Sequence, residues 1–190
     1  GLFGSTPDWG LSPRATAQSE LAITPGQLRY DPAYPTGMHI VVTGASSGIG
    51  EALARELATL PGARLTLVSR RADRLAEVAR ELSCPAHAIA RDLSTPGPVE
   101  GFLDEAEAVH GPADVLVNNA GSQVLADTSR VDVDEGEASL RLNLTTPLRL
   151  TRRVLPGMLA RQSGAIVDIT SLAALAPTPR MTYYNASKAG

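Results

Sequence analysis

From Met38 onward, five short runs of apolar and β-branched residues alternate with segments of helical period, and no other feature limits the possible folds as strongly. The runs are His39–Thr43, Leu65–Val68, Ala86–Ala90, Val115–Val117 and Ala165–Thr170. After the first, Ile49, Leu53, Leu57 and Leu60 recur at helical spacing until Pro61-Gly62 stops them. Leu75, Val78, Ala79 and Leu82 mark a second helix; Val99, Phe102, Leu103, Ala106 and Val109 mark a third, closed by Gly111-Pro112. Further helices are expected within Val133–Leu142, over Leu148–Leu159 and from near Tyr184. The strand runs are apolar throughout, as in a sheet covered on both faces. Short strand–helix–strand units join parallel strands by right-handed crossovers. The expected fold class is α/β, a doubly wound parallel sheet between two helical layers. In such sheets ligands gather beyond the carboxyl ends of the strands. Residues just after each run are therefore the first candidates for a site.

Composition narrows the partners. The chain has 190 residues, 43% hydrophobic and 19% charged, with a net charge of −3. No basic excess points to nucleic acid. The wholly apolar runs are short, such as Leu172–Ala176, whereas a membrane span needs about 20 residues. Neither nucleic acid nor membrane is an expected partner. One cysteine, Cys84, excludes an internal disulfide and fits a reducing compartment. The start shows no basic end followed by an apolar stretch, so a cytoplasmic protein is expected. Residues 1–37 hold five prolines and five glycines without an apolar period, and read as a flexible arm or extension to a core over 38–190. Trp9, Phe3, Tyr30 and Tyr34 lie in that arm. His39, His87 and His110 lack metal-ligand spacing with Cys84 or with acids, and no metal site is expected.

Between the first run and its helix stands Thr43-Gly44-Ala45-Ser46-Ser47-Gly48-Ile49-Gly50. Gly44 permits a tight turn, Gly48 lets backbone approach a pyrophosphate, and Gly50 lets the helix pack closely. Backbone N–H groups and the positive helix end would face the phosphates. The spacing is Gly-x-x-x-Gly-x-Gly. Thr43–Gly50 resembles the cofactor motif of the short-chain dehydrogenase/reductase family, Asn118-Asn119-Ala120-Gly121 its second signature, and Tyr184-Asn185-Ala186-Ser187-Lys188 its Tyr-x-x-x-Lys signature. The resemblance runs over 38–190 and implies a Rossmann-type fold and a nicotinamide dinucleotide. Its expected contacts are Gly44, Ser46, Ser47, Gly48, Ile49 and Gly50 in the turn, Asn119, Ala120 and Gly121 after the fourth run, and Asp92 and Leu93 at the adenine. At the end of the second run an NAD site presents an acid to the adenosine ribose. Here the residues are Ser69, Arg70 and Arg71, and a guanidinium suits a 2′-phosphate. NADP(H) is the expected cofactor, with NAD(H) the alternative.

Tyr184 and Lys188 are four residues apart, so a helix puts them on one face. A free tyrosine has a pKa near 10 and must fall by roughly 3 to serve near neutral pH; a neighbouring ammonium works in that direction. The resemblance implies that Tyr184 is the acid and base of the reaction and that Lys188 also holds the nicotinamide ribose. It implies that Ser171 hydrogen-bonds the substrate oxygen, and that Asn143 holds a water of the proton relay. Thr170, next to Ser171, is expected in the core. Asp168 is read as packing or capping, and Glu51, Arg55 and Glu56 as a solvated helix face.

The implied activity is hydride transfer between NADP(H) and a small carbonyl or alcohol substrate. Two other readings stand beside it: a non-catalytic dinucleotide-binding or regulatory protein, and a nucleotide-sugar epimerase or dehydratase. The resemblance also implies a further strand, a substrate lid and a last strand beyond Gly190, so the sheet is expected to be incomplete at that end. A homodimer or homotetramer, paired through Leu148–Leu159 and the helix after Tyr184, is expected.

Overall fold

In the computed structural model, which describes residues 37–190, five parallel strands form one sheet. They are β1 (His39–Thr43), β2 (Arg64–Ser69), β3 (Ala86–Ala90), β4 (Val115–Asn118) and β5 (Ala165–Asp168), in the order β3-β2-β1-β4-β5. Register pairs Val41 with Thr66 on one side of β1 and with Leu116 on the other. The order reverses between β1 and β4, which opens a crevice beyond their carboxyl ends. Residues 1–36, over which the arm was expected, lie outside the described residues.

Alternating strand residues feed two cores. Ile40, Val42, Leu65 and Leu67 face α1 (Gly48–Leu57) and α2 (Ala72–Glu81), meeting Ala54, Leu75 and Val78. Val41, Val68 and Leu116 face α3 (Phe102–His110) and α5 (Thr146–Ala160), meeting Phe102, Leu103, Leu150 and Val154. This three-layer arrangement explains why the strands read as unbroken apolar runs. Each side chain such as Ile40, Leu65 or Phe102, fully withdrawn from water, contributes about 1.5–3 kcal/mol. α3 ends where Gly111 takes φ 82° and returns its N–H to Glu107 at 2.9 Å.

The segment read as two helices is one rod. α4 (Val133–Leu140) begins where the Asp132 carboxylate accepts the Glu135 amide at 3.0 Å. A wide π turn over Arg141–Thr145 then leads without a break into α5. A single π turn leaves the helix continuous while shifting its register, so Asn143, Thr145 and Pro147 do not end it. β5 stops at Asp168, two residues short of the expected end, although the Ile169 amide still bonds Asn118 O at 3.0 Å. It pairs on one side only among the described residues, so Val167 stays 41% exposed. Thr170, two residues past the end of β5, is exposed rather than in the core. α6 (Thr182–Ala189) closes the described chain. Among the described residues, no helix is long and apolar enough to cross a membrane, and no cluster of His, Cys, Asp and Glu could hold a metal.

Candidate active site

The glycine turn is stapled to the next loop by one hydroxyl. Thr43 Oγ1 is buried; it accepts the amides of Asn119 and Ala120, both at 3.0 Å, and donates to Val117 O at 3.1 Å. The Asn119 side chain donates back to Thr43 O at 2.9 Å. The chain leaves β1 through Gly44 at φ 69°, a conformation that suits glycine. A Cβ on Gly44 would meet Asn119 Nδ2 at 2.8 Å and Ala120 Cα at 2.9 Å. One on Gly50 would fall on Asn119 Nδ2 and the Gly44 carbonyl. Gly50 therefore admits the helix against the turn and the Asn119 amide, rather than against the sheet as expected. Ser47 begins α1 without a side-chain cap. The first-turn amides of α1 face outward with the positive helix end, ready for an anion.

Around this turn opens a cleft of about 560 Å³. Gly44, Ser46, Ser47, Ile49, Ser69, Arg70, Arg71, Asp92, Leu93, Asn119, Ala120 and Gly121 all line it, as the strand-end rule requires. Gly48 and Gly50 shape the turn without lining the cleft. Two lining residues escaped the sequence reading, Arg91 and Leu142. Arg91 is the first residue beyond β3, a signal the strand-end rule supplies. Leu142 comes from the π turn, which leaves no local mark. Arg71 Nη2 donates to Ser46 O at 3.0 Å and to Ser46 Oγ at 3.1 Å. Asp92 accepts the Ser94 amide at 2.9 Å and hydroxyl at 2.6 Å. Partial burial works to raise its carboxyl, but those bonds and the Arg70 charge hold it below the usual carboxylate range. Glu51, read as a solvated face, instead joins Arg55 to Arg74 of α2 at 2.9 and 2.7 Å.

Asn143, Ser171, Tyr184 and Lys188 stand outside the cleft lining, at the same end of the sheet. Lys188 Nζ donates to Ile169 O, just past β5, at 2.8 Å, and lies 6.0 Å from the Tyr184 ring centroid. Ser171, half-buried, accepts the Ala173 amide at 3.2 Å. Asn143 is buried against the cleft wall: a Cβ on Gly121 would come within 3.0 Å of its Oδ1. Its amide group donates to Ser122 O at 2.7 Å and reaches the hydroxyls of Ser187 at 3.0 Å and Ser139 at 3.2 Å; its oxygen accepts the Ser122 amide at 2.9 Å. Ser187 passes the chain on to Tyr184 O at 2.7 Å. The Asn143 side chain is thus occupied within the protein, bracing α6 through Ser187. Ser122, Ser139 and Ser187 escaped the sequence reading, because their meeting depends on contacts distant in the chain. Asp168, at the end of β5, accepts Asn118 Nδ2 at 2.8 Å, in keeping with a packing role.

Residues 38–190 match the family model described as short chain dehydrogenase. An uncharacterised oxidoreductase of Staphylococcus epidermidis is 34% identical over 149 residues, covering 78% of this chain and 64% of that protein. The 11-beta-hydroxysteroid dehydrogenase 1A of Arabidopsis thaliana is 42% identical over 158 residues, covering 80% and 45% respectively. The very-long-chain 3-oxoacyl-CoA reductase of Anas platyrhynchos is 35% identical over 199 residues, covering 100% and 58%. The chain thus spans about half to two thirds of the length of these curated relatives. A crystal structure of a metagenomic short-chain oxidoreductase in complex with NADP superposes with a TM-score of 0.76 at 39% identity, over 80% of this chain and 71% of that one. The doubly wound sheet, its motifs and these likenesses have one reading: the chain belongs to the short-chain dehydrogenase family.

Proposed function

We propose that the intact protein is an oxidoreductase that transfers hydride between NADP(H) and a small carbonyl or alcohol, with Tyr184 giving or taking the proton. One observation carries this reading: the uncapped glycine-turn cleft and the helix bearing Tyr184 and Lys188, which is anchored on Ile169 O just past β5, lie at the same end of the sheet. The residues fit a dinucleotide. Any Cβ at Gly44 or Gly50 would break the turn, its amides are open to an anion, and three arginines line the cleft. The Gly44–Gly50 turn would hold the pyrophosphate, Asp92 and Leu93 the adenine side, and Ser69 and Arg70 the adenosine ribose and its phosphate, with Arg71 bracing the turn beside them through Ser46. A guanidinium at the end of β2, in place of a carboxylate, supports NADP(H) over NAD(H). When bound, the cofactor supplies the hydride at its nicotinamide carbon 4.

The chain's own groups hold the substrate and move the proton. The Ser171 hydroxyl can donate to a carbonyl or accept from an alcohol. Tyr184 protonates the developing alkoxide or takes the alcohol proton. Lys188, fixed on Ile169 O, would hold the nicotinamide ribose. Asn143, through Ser187, keeps α6 in register with the cleft wall. Subunits would pair partly through α5, where Leu148, Leu155 and Leu159 are 62%, 39% and 66% exposed. A cytoplasmic setting fits the free thiol of Cys84.

The test is Tyr184→Phe in the intact protein, followed by NADPH absorbance against a panel of ketones and aldehydes. Turnover should fall by at least about 10²-fold while NADPH affinity stays within about twofold. Near-full activity would remove Tyr184 from the mechanism. Equal dissociation constants for NADP and NAD would remove the cofactor preference.

A further inference from the structure

The three arginines of the cleft differ in what holds them. Arg71 is engaged by the glycine turn through Ser46, with Nη2 on its carbonyl at 3.0 Å and both Nη2 and Nε on its hydroxyl at 3.1 and 3.3 Å. It acts as a strut for the turn. Arg70 stands beside Asp92 and interacts with its charge. Arg91 has neither a hydrogen bond from its side chain nor an ion pair among the described residues. That sets it apart from Arg55, Arg74, Arg149 and Arg153, each of which meets a carboxylate at 3.0 Å or less. Its backbone is nonetheless fixed, because the Arg91 amide donates to Ser69 O at 2.8 Å. Arg91 therefore lines the cleft with its backbone held against the end of β2, where doubly wound dinucleotide sites place the adenosine ribose.

We infer that Arg91 is a specificity-determining residue, pairing with Arg70 to grip the 2′-phosphate of NADP(H). This rests on the reading of the cleft as a dinucleotide site. A dianion between two guanidinium groups gains charge-assisted, forked hydrogen bonds, and a 2′-hydroxyl gains neither charge nor fork. Arg91 supplies the second fork from β3, while Arg71 remains committed to Ser46. The selectivity for the phosphate thus comes from two strand ends rather than one.

Arg91→Gln in the intact protein tests this, since the side chain is exposed and its loss should leave the core untouched. Binding is followed by fluorescence titration with NADPH, NADH, 2′,5′-ADP and 5′-AMP. NADPH and 2′,5′-ADP should weaken by about tenfold or more, and NADH and 5′-AMP by less than about twofold. The salt dependence of NADPH binding should flatten, and Arg91→Lys should recover part of the loss. Equal weakening of NADPH and NADH, or no weakening of either, would overturn the role of Arg91. If the unsubstituted protein fails to prefer 2′,5′-ADP over 5′-AMP, the NADP(H) reading itself falls, which separates the two failures.

Discussion

The glycine-turn end of the site and the Tyr184 end are built from different materials. At the first, main chain is held on main chain: the Gly44 and Ala45 amides donate to Val68 O at 2.7 and 3.3 Å, the Thr43 hydroxyl and the Asn119 amide group tie the backbones of the two loops together, and Thr43, Ala45 and Ser46 are almost wholly buried. At the second, side chains meet side chains and carbonyls through Asn143, Ser187 and Lys188. Leu172 and Leu175 beside it are 83% and 87% exposed. Backbone-built parts tolerate little, because nothing in them can rotate away. Side-chain-built parts adjust, so damage there should appear in turnover before it appears in stability.

The hardest blow to that contrast is Thr43→Val, which keeps the shape and removes the hydroxyl. Two half-buried amides lose their acceptor, at about 1–2 kcal/mol each, so denaturant midpoints should report a loss of about 2–4 kcal/mol. A loss under about 0.5 kcal/mol would dissolve the distinction between the two ends. Next comes Gly50→Ala. Its methyl meets the Gly44 carbonyl, which cannot give, and overpacking of about 1–3 kcal/mol outweighs a helix-propensity gain of about 1. Nucleotide affinity should fall with it in the same titration.

Gly136→Ala probes the softer end. In α4, a Cβ there would come within 2.6 Å of Tyr183 Cζ, the far end of a side chain that can swing. Clash and propensity gain nearly cancel, so the melting temperature should move by less than about 4 °C. Yet Tyr183 precedes Tyr184 on α6, and its displacement should lower kcat several-fold with nucleotide affinity unchanged. Trimming the partner in Gly136→Ala/Tyr183→Ala should restore part of the loss. An unchanged kcat in the single variant would mean that α6 absorbs the shift.

The smallest expected effect lies at the opposite pole of the sheet, away from both ends. There His39 is fully buried, with Nδ1 on Gly111 O at 2.7 Å and Nε2 on Thr66 Oγ1 at 2.9 Å. Its ring lies 5.3 Å from that of His110, which is 6.4 Å from His87. Burial lowers the pKa of His39, and burial with the neighbouring His39, His87 and Arg64 charges lowers that of His110. The bond to the Gly111 carbonyl, then Asp114 and Glu107, oppose this at His39 without reversing it. The unfolded chain then binds protons that the folded one refuses, so stability is full above the ordinary histidine pKa near 6.5 and declines as pH falls below it. Denaturation series between about pH 7.5 and 5.5 should show this slope, and His110→Phe should flatten it. A flat profile in the unsubstituted protein would remove the cluster from the account.

The same contrast explains what was readable in the sequence. Backbone-built features write themselves locally: β1 and β3 were bounded to the residue, and the glycine spacing marked the turn because a Cβ on Gly44 or Gly50 would collide and Gly48 takes a φ of 58°. The likeness between residues 38–190 and the family motifs then supplied Asn143, Ser171, Tyr184 and Lys188 as candidates. Their surroundings were hidden. Asn143 meets Ser122 and Ser187, which lie 21 and 44 residues away, and no period or spacing announces such bonds. Arg91 was passed over because a lone arginine after a strand looks like any solvated charge until the cleft is seen. Two helices were expected, within Val133–Leu142 and over Leu148–Leu159; the π turn over Arg141–Thr145, which no period announces, joins them into one.

That uninterrupted rod from Val133 to Ala160 has a bearing on how chains of this kind can change in length. Adding or deleting one residue before Arg141 would spin the upstream half by about 100° against Asn143, carrying Gly136 and Ser139 off their partners. The stretch after Ser122 and before Asp132, which holds only the short 3-10 turn Thr128–Arg130, is not geared to the rod in this way. Natural insertions and engineered changes of length should therefore be tolerated better there than within the rod.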